Sequence, residues 1–358
     1  MFIYLDSSIS NCLNSPVHHN IIDGIQGLAF MLRSGVHLVS GDRNTLTAIS
    51  NLEEISSSAR ASFKRAVARH AQANSVLNHM STYVLVDYGR AEITSSVENG
   101  TKVIKIPISN FSSIIAQIST EVVYEDINDA VIYNIVAQWY SETILNNPHL
   151  RIKSKPVQGG GSRTCDIYNS KQISADTFCL CITDSDKKYP TDTPGDTSTK
   201  VRNIEDTLKP LSFHLNLDFH EIENLIPLEF LRGIAGTDDA REIIAALKLA
   251  DENQHQEAKL FWDYKKGVRA HYLKNNERFR SYWCAALGVT PAACETECTL
   301  NKCDCFLINP WPLKQDLKSA IERKDRMDPS DCEVMRNLWT EIGSTVVSWT
   351  IGSSPSLT

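Results

Sequence analysis

The sequence lacks the segments that would carry a protein into or across a membrane. None of its apolar runs approaches the roughly 20 residues that a transmembrane helix needs. Its first residues, MFIYLDSSIS, contain neither a basic segment nor a long apolar one, so no secretory signal peptide is predicted. We therefore expect a cytoplasmic protein that contacts no membrane and keeps its ten cysteines reduced.

Positive charge is also scarce. The chain has 36 Lys and Arg residues against 43 Asp and Glu residues, which gives a net charge of −7 and a pI ≈ 5.8. This balance argues against a protein that binds nucleic acid by general electrostatic attraction. It leaves open an enzyme that meets phosphate groups through a bound metal and a local basic face.

The sequence does have enough apolar residues for a large core. Its 358 residues are 42% apolar and 22% charged, as in a soluble globular protein of two or three domains. We divide it into an N-terminal mixed α/β region (1–117), a catalytic region (118–235) and a mostly helical C-terminal region (236–358). The strands STEVVYE, LRIKSKPVQ, DTFCLCITD and SFHLNLD alternate with helices, which predicts an α/β fold with a mainly parallel sheet flanked by helices.

Acidic side chains follow two of these strands. Glu125 ends the strand in EVVYEDINDA, and Asp129 comes at the start of a helix, where it would also suit a cap. Asp184 and Asp186 follow the strand in CLCITDSD and share a face if the strand continues through them. Sites in open α/β sheets form beyond the carboxyl ends of strands, and close like charges need a counter-ion such as a divalent cation. An Asx-type turn is the alternative interpretation of the two aspartates.

Three further motifs complete an ordered set. The loop QGGGS lies between the two acidic segments, HEIENLIP follows with Glu223 and Asn224, and FWDYKKG follows with Lys265 and Lys266. In this order the motifs resemble the topoisomerase-primase (Toprim) domain. They are most similar to the branch found in OLD-family nucleases and in the Toprim effector of the PARIS anti-phage system. The resemblance covers roughly residues 118–270, and it departs at Asp126, where many Toprim sequences have glycine.

The resemblance implies a metal-dependent nuclease that hydrolyses phosphodiester bonds in DNA or RNA. It implies Mg²⁺ or Mn²⁺ as the cofactor, because divalent metals orient phosphate and activate water. The implied metal ligands are Glu125, Asp129, Asp184, Asp186 and Glu223. The implied catalytic residues are Glu125, Asp184 and Lys266.

The same resemblance implies a place in bacterial anti-phage defence. The chain would be a toxic effector under the control of a separate ABC- or AAA-type ATPase. It contains no GxxxxGK[ST] motif, which fits an ATPase carried by another polypeptide. A homodimer is left open. The alternative function, from a different class, is a non-catalytic scaffold or nucleic-acid sensor in such a complex.

A basic segment follows the acidic motifs. From Asp263 to Trp283 there are six Lys or Arg residues and two acidic residues, with aromatic residues between them. Such a segment can contact a nucleic-acid backbone and stack on unpaired bases, or it can form a helix with buried aromatics and solvated bases. The predicted nucleic-acid-binding residues are Lys265, Lys266, Arg269 and Arg278.

The cysteines suggest two different roles. Cys179 and Cys181 alternate along an apolar strand, as small core residues do. Four other thiols lie within 12 residues and suit a tetrahedral structural zinc site, or they are reduced thiols in a loop-rich region. These four are Cys294, Cys298, Cys303 and Cys305.

The N-terminal region allows a second nuclease hypothesis. The segments FIYLDSS and HLVSGDRNTLTAI resemble parts of PIN-like ribonucleases, in which a strand-end aspartate binds metal. Asp6 and Asp42 are the matching residues. No glutamate between them completes the pattern. A platform for a partner protein is the other interpretation of this region.

Overall fold

The computed structural model describes two compact units. The described residues are 1–13, 19–112, 118–206, 209–269, 273, 276–289, 306–323, 325–330 and 332–355. Unit 1 consists of Met1–Ile182, Lys200–Leu215 and Thr340–Thr358, and unit 2 of Thr183–Thr199 and Asn216–Trp339. In the described part of the chain, no helix has the length and apolar character needed to cross a bilayer.

The first sheet of unit 1 has five strands in the order β2-β1-β3-β5-β4. Strands β1, β2, β3 and β5 are parallel, whereas β4 is antiparallel to β5. The strands are β1 Phe2–Leu5, β2 Leu38–Gly41, β3 Thr82–Asp87, β4 Thr94–Glu98 and β5 Thr101–Pro107. The helices of this part are α1 Ser8–Cys12, α2 His19–Ser34, α3 Arg43–Ser50 and α4 Ser57–Asn74. Ser56 caps α4 by accepting a hydrogen bond from the Ala59 amide at 3.2 Å.

The second sheet of unit 1 has four strands in the order β10-β9-β6-β8. Strand β6 lies between β9 and β8 and is parallel to both. The strands are β6 Thr120–Tyr124, β8 Ser154–Gln158, β9 Cys179–Thr183 and β10 Ser212–Asn216. Helices α5 (Ala130–Thr143) and α6 (Thr164–Ser174) follow β6 and β8 in the chain. A short antiparallel ribbon joins β7 (Arg151–Ile152) to β13 (Ile351–Gly352).

The core of the second sheet explains its apolar strands. Every residue of β6 and β9 is buried, as expected for parallel strands covered on both faces. Cys179 and Cys181 pack there with Val123, Tyr168 and Val201, which confirms their prediction as small core residues. Burial also raises the pKa of Cys179 to about 12, so this thiol is not a nucleophile at neutral pH.

Unit 2 is mainly helical. Its helices are α8 Leu228–Ile234, α9 Asp238–Glu252, α10 Glu277–Ala286 and α11 Leu313–Glu322, and β11 (Val268–Arg269) pairs antiparallel with β12 (Phe306–Ile308). Helices α7 (Asp196–Ile204) and α12 (Glu333–Thr350) contribute residues to both units. The core of unit 2 is rich in tryptophan, with Trp262 and Trp283 in edge-to-face contact at 5.2 Å. The predicted α/β class, with parallel-rich sheets flanked by helices and a helical C-terminal region, is confirmed.

Candidate metal site

The two strands that precede the predicted carboxylates are parallel neighbours. Tyr124, the last residue of β6, lies opposite Ile182 of β9. Glu125 follows β6 directly and belongs to unit 1, whereas Asp184 and Asp186 follow β9 and belong to unit 2. The common metal site that the sequence predicts for these side chains stays a prediction.

The glycine-rich loop holds the backbone at the end of β6. The amide of Gly159 donates to the Tyr124 carbonyl at 2.7 Å, and the amides of Gly160 and Gly161 donate to the Glu125 carbonyl at 3.0 and 3.4 Å. A side chain at Gly159 would place its Cβ 2.6 Å from the Tyr124 oxygen, so only glycine allows this approach. Because all three amides bind protein carbonyls, they do not form a cradle for phosphate.

The turn after Glu125 has no need of glycine. Asp126 has an extended backbone (φ −120°), and its side chain accepts a hydrogen bond from the Asn128 amide at 3.0 Å. Asp129 stands at the N-cap of α5 but makes no capping hydrogen bond with its side chain, so the capping interpretation is not supported. Tyr124 is buried and stacks on Tyr133 at 5.4 Å, which makes it a packing residue.

The loop of Asp184 and Asp186 leaves the strand geometry at once. Strand β9 ends at Thr183, and Asp186 has a left-handed backbone (φ +55°), so the two aspartates do not share a face of a continuing strand. Between them Ser185 is fully buried and donates to the Phe219 carbonyl. The Asp186 amide donates to the His220 carbonyl at 2.9 Å, and its exposed side chain packs on Gly195.

The HEIEN segment is fixed by its asparagine. Asn224 is fully buried, and its Oδ1 accepts a hydrogen bond from the Glu221 amide at 2.9 Å. Its Nδ2 donates to the carbonyls of Lys259 at 2.5 Å and Trp262 at 2.9 Å. In addition, the His220 amide donates to the Leu260 carbonyl at 2.8 Å. Together these hydrogen bonds bring the start of FWDYKKG beside His220. Asn224 is therefore a positioning residue.

Three side chains of unit 2 meet as a consequence, and we call them the His220 cluster: His220, Glu221 and Asp263. The Nε2 atom of His220 lies 3.4 Å from Asp263 Oδ2 and 3.7 Å from Glu221 Oε1. One donor atom from each residue lies within 4.8 Å of the others, so this buried group could hold a metal ion. His220 is 1% exposed, and neither ring nitrogen has an aligned hydrogen-bond partner among the described residues.

Two lysines flank the His220 cluster. Lys265 Nζ lies 2.7 Å from Glu221 Oε2 and 3.4 Å from Glu223 Oε1. The backbone amides of Lys265 and Lys266 both donate to Asp263 Oδ1, at 3.0 and 2.8 Å. Lys266 Nζ lies 3.3 Å from Asp263 Oδ2. The two lysines predicted from FWDYKKG therefore both contact acidic residues of this region.

The pKa shifts follow from burial and from these charges. Burial raises the pKa of the Glu223 carboxyl, and Lys265 only partly opposes it. Burial acts on Asp263 in the same direction, but His220 and Lys266 outweigh it and lower the Asp263 pKa to about 2. Burial disfavours the imidazolium of His220, yet Asp263, Glu221 and Asp186 together raise its pKa. The His220 imidazole and the Asp263 carboxylate therefore each favour the charged form of the other.

Three aromatic residues of the basic segment belong to the core of unit 2. Tyr264, Phe279 and Trp283 are buried, so they pack inside unit 2 and do not offer surfaces for base stacking. Arg278 is exposed and Arg269 is half-buried. The alternative of buried aromatics with solvated bases is the one that the structure supports for these residues.

The proposed zinc ligands Cys294, Cys298, Cys303 and Cys305 lie outside the described residues.

The two N-terminal aspartates have local roles. Asp6 accepts a hydrogen bond from the Ser8 amide at 2.8 Å, in the turn after β1. Asp42 caps α3 by accepting a hydrogen bond from the Thr45 amide at 2.9 Å. Their strands are parallel neighbours, but the hydrogen bonds alone explain both residue types. The PIN-like metal role stays a prediction.

The sequence interpretation missed His220 and Asp263 as site residues, although both lie inside motifs that it singled out. The signal was the His-Glu pair at the start of HEIEN and the aspartate before the lysines of FWDYKKG.

The chain matches no model of a known protein family, no curated protein and no solved structure. Function must therefore be argued from the site itself.

Proposed function

We propose that this protein is a metal-dependent hydrolase of phosphodiester bonds in DNA or RNA. The observation that carries the proposal is the concentration of charge in unit 2. Four carboxylates there, of which Glu221 and Glu223 are at most 9% exposed, are accompanied by two lysines. The carboxylates are those of Asp186, Glu221, Glu223 and Asp263.

Burying carboxylates together is costly unless cations compensate them. Lys265 and Lys266 compensate part of this charge. A divalent cation is the other means of compensation, and carboxylate oxygens are the donors that Mg²⁺ and Mn²⁺ take in proteins. The donor set of unit 2 therefore fits a metal, with Asp263 and Glu221 as its nearest oxygen ligands.

A bound divalent metal supplies charge stabilisation for the phosphate and a water of lowered pKa. The chain's own residues would supply the rest. Lys266, whose side chain is 57% exposed, would contact a phosphate oxygen of the substrate. Arg269 and Arg278 belong to the same unit and extend the basic surface. Glu125, Asp129, Asp184 and Asp186 enter the proposal as metal ligands on the strength of the Toprim resemblance.

In this proposal the protein is the toxic effector of an anti-phage system and is restrained by a separate ATPase. The resemblance to the PARIS effector supports this assignment. A second candidate, a non-catalytic scaffold, is favoured by one observation: Lys265 reaches both Glu221 and Glu223, so part of the acidic charge is satisfied without metal. A scaffold of this kind would bind no metal at the acidic residues.

The test uses the isolated full-length chain loaded with Mn²⁺ or Mg²⁺ and four substrates: plasmid, single-stranded DNA, tRNA and total RNA. We expect cleavage of at least one substrate, lost with Asp184→Ala or Glu125→Gln while circular dichroism stays unchanged. The control is Asp218→Asn, which removes a carboxylate that is 84% exposed from the same unit. If all four substrates stay intact and expression does not harm cells, the hydrolase proposal is wrong.

Lys266 gives a test of substrate contact. Replacing it with alanine should weaken nucleic-acid binding and reduce the slope of log K against log salt by about 1, because one phosphate contact is lost. Lys248→Ala is the matched control, since Lys248 is an exposed lysine on α9 of the same unit. Equal effects of the two substitutions on the slope would exclude a specific role for Lys266.

A further inference from the structure

Both carboxylates of the His220 cluster are held so that one oxygen points to the histidine. Asp263 Oδ1 accepts the amides of Lys265 and Lys266 at 3.0 and 2.8 Å, which leaves Oδ2 facing His220 Nε2 at 3.4 Å. Glu221 Oε2 contacts Lys265 Nζ at 2.7 Å, while its Oε1 faces the same nitrogen at 3.7 Å. The two orientations are fixed by contacts outside the cluster.

The histidine is the unusual member of this group. Its ring is 1% exposed, and no described residue offers an aligned hydrogen bond to either nitrogen. Buried polar groups are nearly always hydrogen-bonded, because desolvation without a partner is costly. Its backbone cannot easily shift away, since the amide donates to Leu260 and the carbonyl accepts from Asp186. His220 Nε2 and the two carboxylate oxygens that it faces together form a set of donor atoms for a metal ion.

We propose that His220, Glu221 and Asp263 bind a first-row transition-metal ion, Mn²⁺ or Zn²⁺, in preference to Mg²⁺. Mg²⁺ is bound through oxygen and keeps most of its waters, whereas imidazole nitrogen favours transition metals. One nitrogen and two carboxylate oxygens from the protein therefore select against Mg²⁺. The inference deepens the proposed function, on which it rests for the role of the metal, but it is measured by binding alone.

The two lysines beside the His220 cluster should affect metal binding in opposite directions. Lys265 contacts the Glu221 oxygen that faces away from His220, so it stays in place when a metal binds. Lys266 Nζ lies 3.3 Å from Asp263 Oδ2, the oxygen that the metal would use, and its exposed side chain can move into solvent. Removing Lys266 should therefore tighten metal binding, whereas removing Lys265 should weaken it.

The experiment uses the full chain, stripped with a chelator and titrated with Mn²⁺ followed by electron paramagnetic resonance. We expect a site whose affinity for Mn²⁺ is on the order of tenfold or more above that for Mg²⁺ in competition. The bound Mn²⁺ should show electron spin echo modulation from a directly coordinated ¹⁴N nucleus. This readout needs no substitution, so it tests the proposal even if variants misfold.

Three variants localise the site: His220→Gln, Glu221→Gln and Asp263→Asn. Each should weaken Mn²⁺ binding by roughly tenfold or more, and His220→Gln should also abolish the nitrogen modulation. His214→Gln is the matched control, because His214 is also buried but belongs to unit 1. Equal affinities for Mn²⁺ and Mg²⁺, absence of nitrogen modulation, or an equal loss with His214→Gln would overturn the proposal. If Mn²⁺ binds as expected but no nucleic acid is cleaved, the metal site stands and the hydrolase proposal fails.

Discussion

Lys265 joins two buried glutamates: its Nζ atom lies 2.7 Å from Glu221 Oε2 and 3.4 Å from Glu223 Oε1. The side chain of Glu223 is only 4% exposed, whereas that of Lys265 is 44% exposed. The positive charge of the half-exposed lysine therefore compensates the negative charge of a carboxylate that is almost inaccessible to water. The partial exposure of Lys265 limits how much the contact contributes to stability.

Replacing Lys265 with methionine should lower the free energy of unfolding by roughly 1–2 kcal/mol at pH 7. The reason is that Glu223 would stay buried without its cation, and the exposed lysine makes this less than the loss for a fully buried pair. Urea unfolding measures the change. The double variant Lys265→Met/Glu223→Gln should recover part of the loss, and additive effects of the two substitutions would contradict the coupling.

Asn224 should prove to be a stability residue. Asn224→Ala removes three hydrogen bonds and leaves buried partners, so the free energy of unfolding should fall by about 3 kcal/mol or more. Asn253→Ala is the comparison, because the Asn253 side chain makes one such bond, to the Ala286 carbonyl at 2.9 Å. This substitution should lower the free energy of unfolding by about 1 kcal/mol. A folded, fully stable but inactive Asn224→Ala protein would instead indicate a ligand role.

Two glycines should respond to alanine in opposite directions. At Gly159 a Cβ would lie 2.4 Å from Thr164 Oγ1 and 2.6 Å from the Tyr124 carbonyl oxygen, so Gly159→Ala should destabilise the protein by roughly 1–3 kcal/mol. At Gly233, on α8, nothing lies within 4 Å of the added atom, and Gly233→Ala should stabilise by about 0.5–1 kcal/mol. Thermal unfolding of both variants gives the comparison. A neutral Gly159→Ala would mean that the β6 end is less constrained than described.

His214 should make stability depend on pH. Burial, with a smaller contribution from Arg202, lowers its pKa from 6.5 to about 4. The unfolded chain therefore takes up this proton near pH 6.5, but the folded chain takes it up only near pH 4. The stability contribution is complete above pH 6.5 and is lost as the pH falls towards 4, by at most about 3 kcal/mol. 

Comparison with His214→Gln isolates this contribution, because the other titrating groups are common to both proteins. The difference in unfolding free energy between wild type and variant should shrink between pH 7.5 and pH 4.5. A constant difference across that range would show that His214 has the same pKa in the folded and unfolded chains.

Much of the fold could be read from local patterns. The runs STEVVYE and DTFCLCITD became the fully buried strands β6 and β9, because continuous apolar residues suit a parallel strand covered on both faces. LRIKSKPVQ was predicted as one strand but forms two, β7 and β8. Between the two strands, the Lys153 amide donates to the Thr350 carbonyl at 2.7 Å, a partner almost two hundred residues away that no local pattern reveals.

The candidate site was only partly predictable for the same reason. Strand ends drew attention to Glu125 and Asp184, whose metal role stays a prediction, and motif order drew attention to Glu223, Lys265 and Lys266. The approach of Asp263 to His220 depends on the hydrogen bonds that Asn224 makes with backbone carbonyls 35 and 38 residues away. The left-handed backbone of Asp186 likewise depends on its bond to His220 and its packing on Gly195. Such long-range contacts have no signature in residue spacing.

Unit 1 consists of segments that lie far apart in the chain, so it is completed only late in synthesis. Thr120 at the start of β6 donates to the Trp349 carbonyl, and the amide and hydroxyl of Ser81 both bond to Ser348 Oγ, so the second half of α12 completes this unit. On a ribosome, residues up to Ile182 emerge long before Thr340. At ordinary elongation rates the interval is roughly 10–30 s. The nascent chain must therefore hold an incomplete apolar surface for that time, and slow translation of the intervening segment would prolong its exposure to chaperones and proteases.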